Sequence, residues 1–417
     1  MAEIPRSLLN ELTDEINTLS GRAQRQASDA LTRLVADWEA SGNGDIAALR
    51  EATYEVIETA CGYYADTVAA GRAAEFYDAV RKAQDAPGKY AAVAESLRDP
   101  QATYGSVKAF MVSVVKQEAT DLFVAACVRR LDAEIRKAAN MCVAHNASKD
   151  PAKPRYARVP SGETCGFCLM LSSFGFNYKT KEAASHSHPK CDCRVVPSFG
   201  KGPKVKGYDP DGMYDRFNEC MDTLGGRNGI RSDWDALPDA EREAYIKEHG
   251  GKASKAFDKY VNKRMVEEIE TRDPKWYATG TEPKIGFVSK GVEKRATKAE
   301  IGTAKRLAHH GVAPTFIQDY RWVQEDGRKR KVGLPDLKNG IEIKTIGTSG
   351  NAWGAMKNYL DSTAGKEGVK CMVVDNSVSE RIDDNALISA AKDLAPKYPK
   401  VAHVRLLLKD GRYIAVK

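Results

Sequence analysis

Apolar and polar positions change rhythm twice along this chain. Up to about residue 147 apolar side chains recur at spacings of three and four, as in Val107, Phe110, Val114, Leu122 and Val128, in a stretch rich in Ala, Leu, Val, Glu and Arg. That period lays one apolar stripe along each segment and predicts long packed helices. Ser41-Gly42-Asn43-Gly44-Asp45 and Ala86-Pro87-Gly88 supply the turns between them. From 198 to about 291 the pattern loosens into Lys, Gly and Pro, with two short helices near 211–224 and 238–249. The second starts on Pro238, with Asp239 and Glu241 beside the positive end of its dipole, and ends on His249 as a capping cation. Residues 271–291, holding Pro274, Gly280, Pro283, Gly286 and Gly291, read as a linker.

In the last third helical and two-residue periods interleave. A helix is predicted over 297–310, strands over 316–323 and 332–337, a helix over 351–364, a strand over 369–375 and a helix over 384–395. A closing hairpin of 401–408 and 413–416 turns on Lys409-Asp410-Gly411-Arg412. At 417 residues the chain exceeds one ordinary core. The expectation is a multidomain protein: a mostly α region (1–147), a small zinc-stapled α+β segment (148–200), a helical and irregular connector (201–293), and an α/β domain with a mixed sheet flanked by helices (294–417).

Within that last domain one turn carries chemistry. Lys338-Asn339-Gly340 is a three-residue hairpin loop ending in glycine, which would pair Leu337 with Ile341 and set Asp336 opposite Glu342. Alternation then puts Glu342 and Lys344 on the face of Asp336 and buries Ile341 and Ile343 on the other. Two carboxylates and an ammonium suit a Mg2+ that clamps a phosphate and activates water. A two-residue Asn339-Gly340 turn would instead split the carboxylates between faces, and Glu-x-Lys also occurs on ordinary solvent-facing strands. Glu300, at the edge of the apolar stripe Ile301, Ala304, Leu307 and Ala308, is an additional acid; Thr297-Lys298-Ala299-Glu300 is equally a capping box.

A second constellation is Cys165-Gly166-Phe167-Cys168 followed by His186, His188, Cys191 and Cys193. Thiolates and imidazole at this spacing are what tetrahedral Zn2+ requires. The favoured set is Cys165, Cys168, His188 and one of Cys191 or Cys193, with His186 outside it. A redox dithiol would want a strand before the CxxC pair, and Pro160-Ser161-Gly162-Glu163-Thr164 is instead a turn. Cys61, Cys127, Cys142, Cys220 and Cys371 are scattered in periodic segments and read as reduced, not as a disulfide framework.

Charge separates the two halves. Residues 294–417 hold 23 basic and 14 acidic side chains, a net of +9, whereas the preceding 293 residues hold 41 and 43, a net of −2. The run Arg328-Lys329-Arg330-Lys331, close to Tyr320 and Trp322, fits a polyanionic substrate, although such runs are commonly solvated loops. No stretch approaches eighteen apolar residues, so no membrane span is expected, and Met1-Ala2-Glu3-Ile4-Pro5-Arg6 lacks a signal-peptide pattern.

Two family resemblances follow from these motifs. Residues 294–417, with Glu300, Asp336 and Glu342-Ile343-Lys344, resemble the PD-(D/E)xK nuclease superfamily, and specifically the C-terminal toxin domains of contact-dependent growth inhibition proteins, many of which cleave tRNA. That resemblance implies Asp336 and Glu342 as Mg2+ ligands, Lys344 as the catalytic lysine, Glu300 as an accessory acid, and an immunity protein as partner. Ala157-Arg158-Val159-Pro160 through His188-Pro189-Lys190-Cys191-Asp192-Cys193 and Arg194-Val195-Val196-Pro197 resemble the MuF-like minor head proteins of tailed phages. It implies a role in head assembly beside the portal and major capsid proteins, and a place in the virion, in the capsid interior or near the portal, after synthesis in the bacterial host cytoplasm. Two alternatives stay open: a head protein whose last domain binds nucleic acid without cutting it, and a metal-independent ribonuclease of barnase or RelE type using Lys344, Thr345, His309, His310 or His403.

Overall fold

The structure, a computed structural model, describes residues 3–42, 44–115, 120–161, 164–178, 188–200, 204–325, 328–347 and 350–417. It divides into two compact units, Met1–Asp211 and Gly212–Lys417.

The first unit is helical, as its period predicts. Its helices are α1 (Arg6–Ala40), α2 (Ile46–Ala60), α3 (Ala70–Ala83), α4 (Pro100–Val115) and α5 (Thr120–Lys149), with a π-helical stretch Cys61–Ala69 joining α2 to α3. Helix α1 buries Leu9, Leu12, Ile16, Ala23, Ala27, Leu31 and Val35, one stripe at helical spacing. Helix α5 is its main partner and buries Phe123, Cys127, Leu131, Ile135, Ala138 and Cys142. Small side chains at Ala138, Ala139, Ala144 and Ala147 leave room for a two-stranded antiparallel sheet, β1 (Arg155–Val159) and β2 (Arg194–Ser198), beside the short α6 (Gly166–Ser172). This is the α+β middle segment, and it belongs to the same unit as the helices.

The second unit begins with α7 (Pro210–Thr223), α8 (Gly226–Asp235), α9 (Asp239–Glu248) and α10 (Ala253–Glu270). Residues 212–293, expected as a connector, lie in one unit with 294–417. The stretch expected as a linker is ordered: α11 (Pro274–Thr279), β3 (Gly286–Phe287) and α12 (Lys290–Arg295) occupy it. Its prolines and glycines are punctuation. Asp273 caps the backbone of Lys275 and Trp276, Pro274 stands in the first turn, and Gly280 ends the helix at φ +74°. Trp276 and Tyr277 are buried there, so the segment brings its own apolar anchor.

The core of this unit is a four-stranded sheet in the order β10-β9-β8-β7, where β7 is Ile341–Thr345, β8 Cys371–Asp375, β9 His403–Leu407 and β10 Tyr413–Ala415. The first three run parallel and β10 returns antiparallel, the mixed sheet expected. Helix α13 (Lys298–His309) covers one face, where Ala304 and Leu307 meet Ile341, Ile343 and Val373. Helices α14 (Ala352–Ala364) and α15 (Asp384–Leu394) cover the other, where Met356, Leu360 and Leu387 meet Met372, Val374 and Val404. Odd and even residues of β8 thus feed different cores, the strand alternation made visible.

A separate hairpin, β5 (Tyr320–Glu325) and β6 (Arg328–Gly333), follows β4 (Thr315–Phe316). The basic run, which lies between the strands expected over 316–323 and 332–337, is itself strand β6, paired residue for residue with β5. The strand expected over 332–337 ends at Gly333; Leu337 makes only an isolated bridge to Phe316. Pro335, lacking an N–H, cannot extend a ladder.

Candidate functional site

Two clusters of chemically capable side chains stand out, one in each unit. The first joins the cysteines and a histidine. The N-terminus of α6 presents Cys165 and Cys168 one turn apart, and His188 Nε2 lies 3.1 Å and 3.2 Å from their sulfurs. Cys191 and Cys193 approach Cys168 at 3.4 Å and 3.2 Å. These five donors form two overlapping groups sharing Cys168, an arrangement able to hold a metal ion. His186 lies outside the described residues.

The surroundings fix both the proton and the backbone. A carbonyl cannot donate, so the 2.8 Å contact of His188 Nδ1 with the Pro189 carbonyl places a ring proton on Nδ1 and turns Nε2 toward the sulfurs, where hydrogen bonding to Cys165, opposed by burial, pushes the imidazole up to about 9. Hydrogen bonding from Cys168, opposed by burial and reinforced by His188, draws the Cys165 thiol down to about 4. Helix α5 grips the loop that carries the last two cysteines. Asp132 accepts the Lys190 N–H at 2.6 Å, Arg136 donates to the Cys191 carbonyl at 2.9 Å, and Asn140 accepts the Val195 N–H at 3.0 Å. Arg158, fully buried on β1, places its guanidinium 3.3 Å from the Cys191 sulfur and 2.5 Å from that of Cys193. A buried cation among the sulfurs of Cys168, Cys191 and Cys193 offsets the charge that thiolates accumulate. Sequence reasoning did not single out Arg158, Asp132 or Arg136; the only local signal was a charged residue between Ala157 and Val159.

The second cluster is built on the glycine turn. Gly340 adopts φ +85°, Gly340 N–H donates to the Leu337 carbonyl, and Leu337 N–H donates to Ile341, so the loop closes with three residues. Lys370 and the Gly368 carbonyl would sit only 3.0 Å from a Cβ at position 340, so the site tolerates no side chain. Glu342 and Lys344 stand in register with Met372 and Val374, on the sheet face opposite Ile341 and Ile343. Strand β7 is the sheet's edge, and the Asp336 carboxylate accepts the Ile343 N–H at 2.8 Å. Glu342 is fully buried with Lys344 Nζ at 2.6 Å. Lys366, just past α14, contributes an ammonium 2.7 Å from Glu342 and 3.7 Å from Asp336.

Burial and then the neighbouring Glu342 charge push the Asp336 carboxyl up to about 6. Lys366 is held above its ordinary range by Asp336 and Glu342, which outweigh the burial that would lower it. Asp336 also lines a small cleft of about 70 Å3 together with Glu300, Arg295 and Asp319; Glu342 and Lys344 are not among its lining residues. Glu300 completes the capping box, its Oε2 accepting the Thr297 N–H at 2.7 Å and the Thr297 hydroxyl at 2.9 Å. The histidines of α13 point elsewhere: His309 pairs with Glu282, and His310 pairs with Glu219 and stacks on Tyr413.

The chain is therefore a two-unit protein, with a sulfur-rich centre in its helical first unit and a carboxylate–lysine cluster in its α/β second unit. It belongs to the phage-related VG15 protein family, whose model matches residues 4–220, a little over half of its length. No curated protein and no solved structure matches it. Among the described residues no helix is long and apolar enough to cross a membrane.

Proposed function

We propose that this is a virion-associated minor head protein of MuF-like type whose second unit is a metal-dependent nuclease, with tRNA or other RNA as substrate. In this reading residues 1–147 supply assembly surfaces toward the portal and major capsid proteins. Residues 148–200 are stapled by Zn2+, 201–293 connect and buttress, and 294–417 carry the chemistry. Cys165, Cys168, His188 and Cys191 hold the zinc. The donor set suits that ion, and the Cys193 sulfur, nearest the Arg158 guanidinium, is the one least suited to a further cation.

The observation that carries the nuclease reading is the convergence of Asp336, Glu342 and Lys344 on one edge strand, with Glu300 on the cleft Asp336 lines. Asp336 and Glu342 would hold a divalent cation such as Mg2+, which supplies charge neutralisation for the scissile phosphate and activation of water. Lys344 orients that water and offsets charge developing on the phosphate, and Glu300 is an accessory acid. A neighbouring immunity protein would protect the producing cell.

The test is to incubate the full chain with tRNA, total RNA and plasmid DNA, with and without Mg2+, beside Lys344→Ala. Mg2+-dependent cutting lost in the variant is expected, by about two to four orders of magnitude. Equal cutting by both proteins sinks the assignment. For the head role, the protein should co-sediment with purified particles, and its absence from them removes that part. One observation favours a second reading, a head protein that binds packaged nucleic acid uncut: both Lys344 and Lys366 already contact Glu342. Retention of intact nucleic acid under every metal condition would select it.

A further inference from the structure

The β5–β6 hairpin has two unlike faces. On one, Arg321 pairs with Glu367 at 2.6 Å and Arg330 with Glu325 at 2.9 Å, so its cations are largely spent on acids of the same chain. The cross-strand register puts Tyr320, Trp322, Gln324, Lys329 and Lys331 on the other. Among the described residues no carboxylate pairs with Lys329 or Lys331. Trp322 is 61 % exposed, an uncommon state for so large an apolar ring, and its indole meets Tyr320 edge to face at 6.3 Å. Lys331 Nζ lies 4.0 Å over the Tyr320 ring, and Arg295 approaches the same ring at 6.0 Å. Arg295 in turn lines the cleft that holds Glu300 and Asp336. An exposed indole, two unneutralised lysines and a tyrosine–arginine contact therefore lead from the hairpin to the carboxylates.

We infer that this face is a stacking platform for an unpaired nucleic-acid strand, which it directs toward the Asp336 cleft. The direction of delivery rests on the nuclease reading; the binding does not. A ring can cover only a base whose face is free, and such stacking tolerates any sequence, while the lysines follow the phosphates. In a duplex every interior base face is already stacked, so double-stranded ligand would meet the lysines but not the indole.

The experiment uses the full chain carrying Lys344→Ala, so that binding is read without cutting. Its probes are a fluorescein-labelled twelve-residue oligonucleotide, as RNA and as DNA, alone and annealed to its complement. Anisotropy should show tighter binding of the single strand at equal salt. Adding Trp322→Ala should weaken that binding about tenfold, while Trp322→Phe should restore most of it. Adding Lys329→Ala and Lys331→Ala together should flatten the slope of log affinity against log salt by about 1.4. Equal affinity for duplex and single strand, or a Trp322→Ala change within twofold, overturns the platform. If the indole-dependent binding holds and the chain without Lys344→Ala cuts nothing, the platform stands and the nuclease reading falls.

Discussion

The two clusters solve the problem of gathering like donors in opposite ways. Around the cysteines, Cys168, Cys191, Cys193 and Arg158 are all within 1 % of complete burial, and the loop carrying two of the sulfurs is held through its backbone by Asp132, Arg136 and Asn140 of α5. That loop cannot rearrange without breaking a helix contact. Around the carboxylates only Glu342 is sealed. Its compensating lysines keep side-chain exposures of 19 % and 22 % and reach in on flexible stems. The first arrangement suits a resident ion that is part of folding, and the second suits exchange of a cation and a ligand. The difference lies in which groups provide the balancing charge: fixed backbone and a buried guanidinium in one, displaceable ammonium groups in the other.

The largest effect should come from removing the sulfur both thiol groups share. Cys168→Ser is expected to take bound zinc from one per chain to none. Because binding to a structural site is folding free energy, the transition of the first unit should shift by many degrees. Elemental analysis and calorimetry read both quantities. Cys191→Ser should behave alike and Cys193→Ser should keep its zinc; a variant of Cys168 with full zinc content would break the contrast. Next in size is a buried ion network in the second unit. Arg272 and Arg405 bind Glu268 at 2.6 Å and 2.5 Å, all three nearly inaccessible. Glu268→Gln strands two guanidinium groups and should cost about 3–5 kcal/mol in urea unfolding. Burial pushes the Glu268 carboxyl up, but Arg405 and then Arg272 hold it below its ordinary value. Its contribution is therefore present above pH 4.5 and fades as pH falls through the folded-state value. The gap between the wild type and the variant should narrow in acid.

Much of this was readable in the residues, and the failures have causes. The turn at Gly340 and the helix capped by Thr297 follow from local chemistry, which acts within four residues. Strand β6 was obscured because four consecutive cations carry no apolar alternation; their place is set by pairing with β5. The segment 271–291 was misread because proline and glycine mark helix ends as well as linkers. Lys366 had no signal at all. It follows a helix end 24 residues beyond Glu342, and only the parallel crossover from β7 through α14 to β8 returns it to the carboxylates.

That returned lysine gives the next test. Lys366 occupies the space between Asp336 and Glu342 that a cation would share, so Lys366→Ala should raise Mg2+ affinity about tenfold, the scale of one charge-assisted contact. Lys344 still compensates Glu342, so folding should survive. Titration calorimetry reads the change, and weaker Mg2+ binding in the variant would make Lys366 a scaffold of the carboxylates instead of their competitor.

The smallest effect on folding is the most discriminating for chemistry. Both capping bonds of Glu300 fall on Oε2, leaving Oε1 outside the capping box while the residue lines the cleft with Asp336. Glutamine fills the same capping role through its carbonyl but carries no charge. Glu300→Gln should therefore change stability by less than about 0.5 kcal/mol, whereas Thr297→Ala, which removes the cap itself, should cost about 1 kcal/mol. If Glu300 is an accessory acid, the Gln variant loses cleavage at unchanged stability and Thr297→Ala does not. If Glu300 only caps α13, cleavage follows stability in both variants, and the carboxylate centre reduces to Asp336 and Glu342.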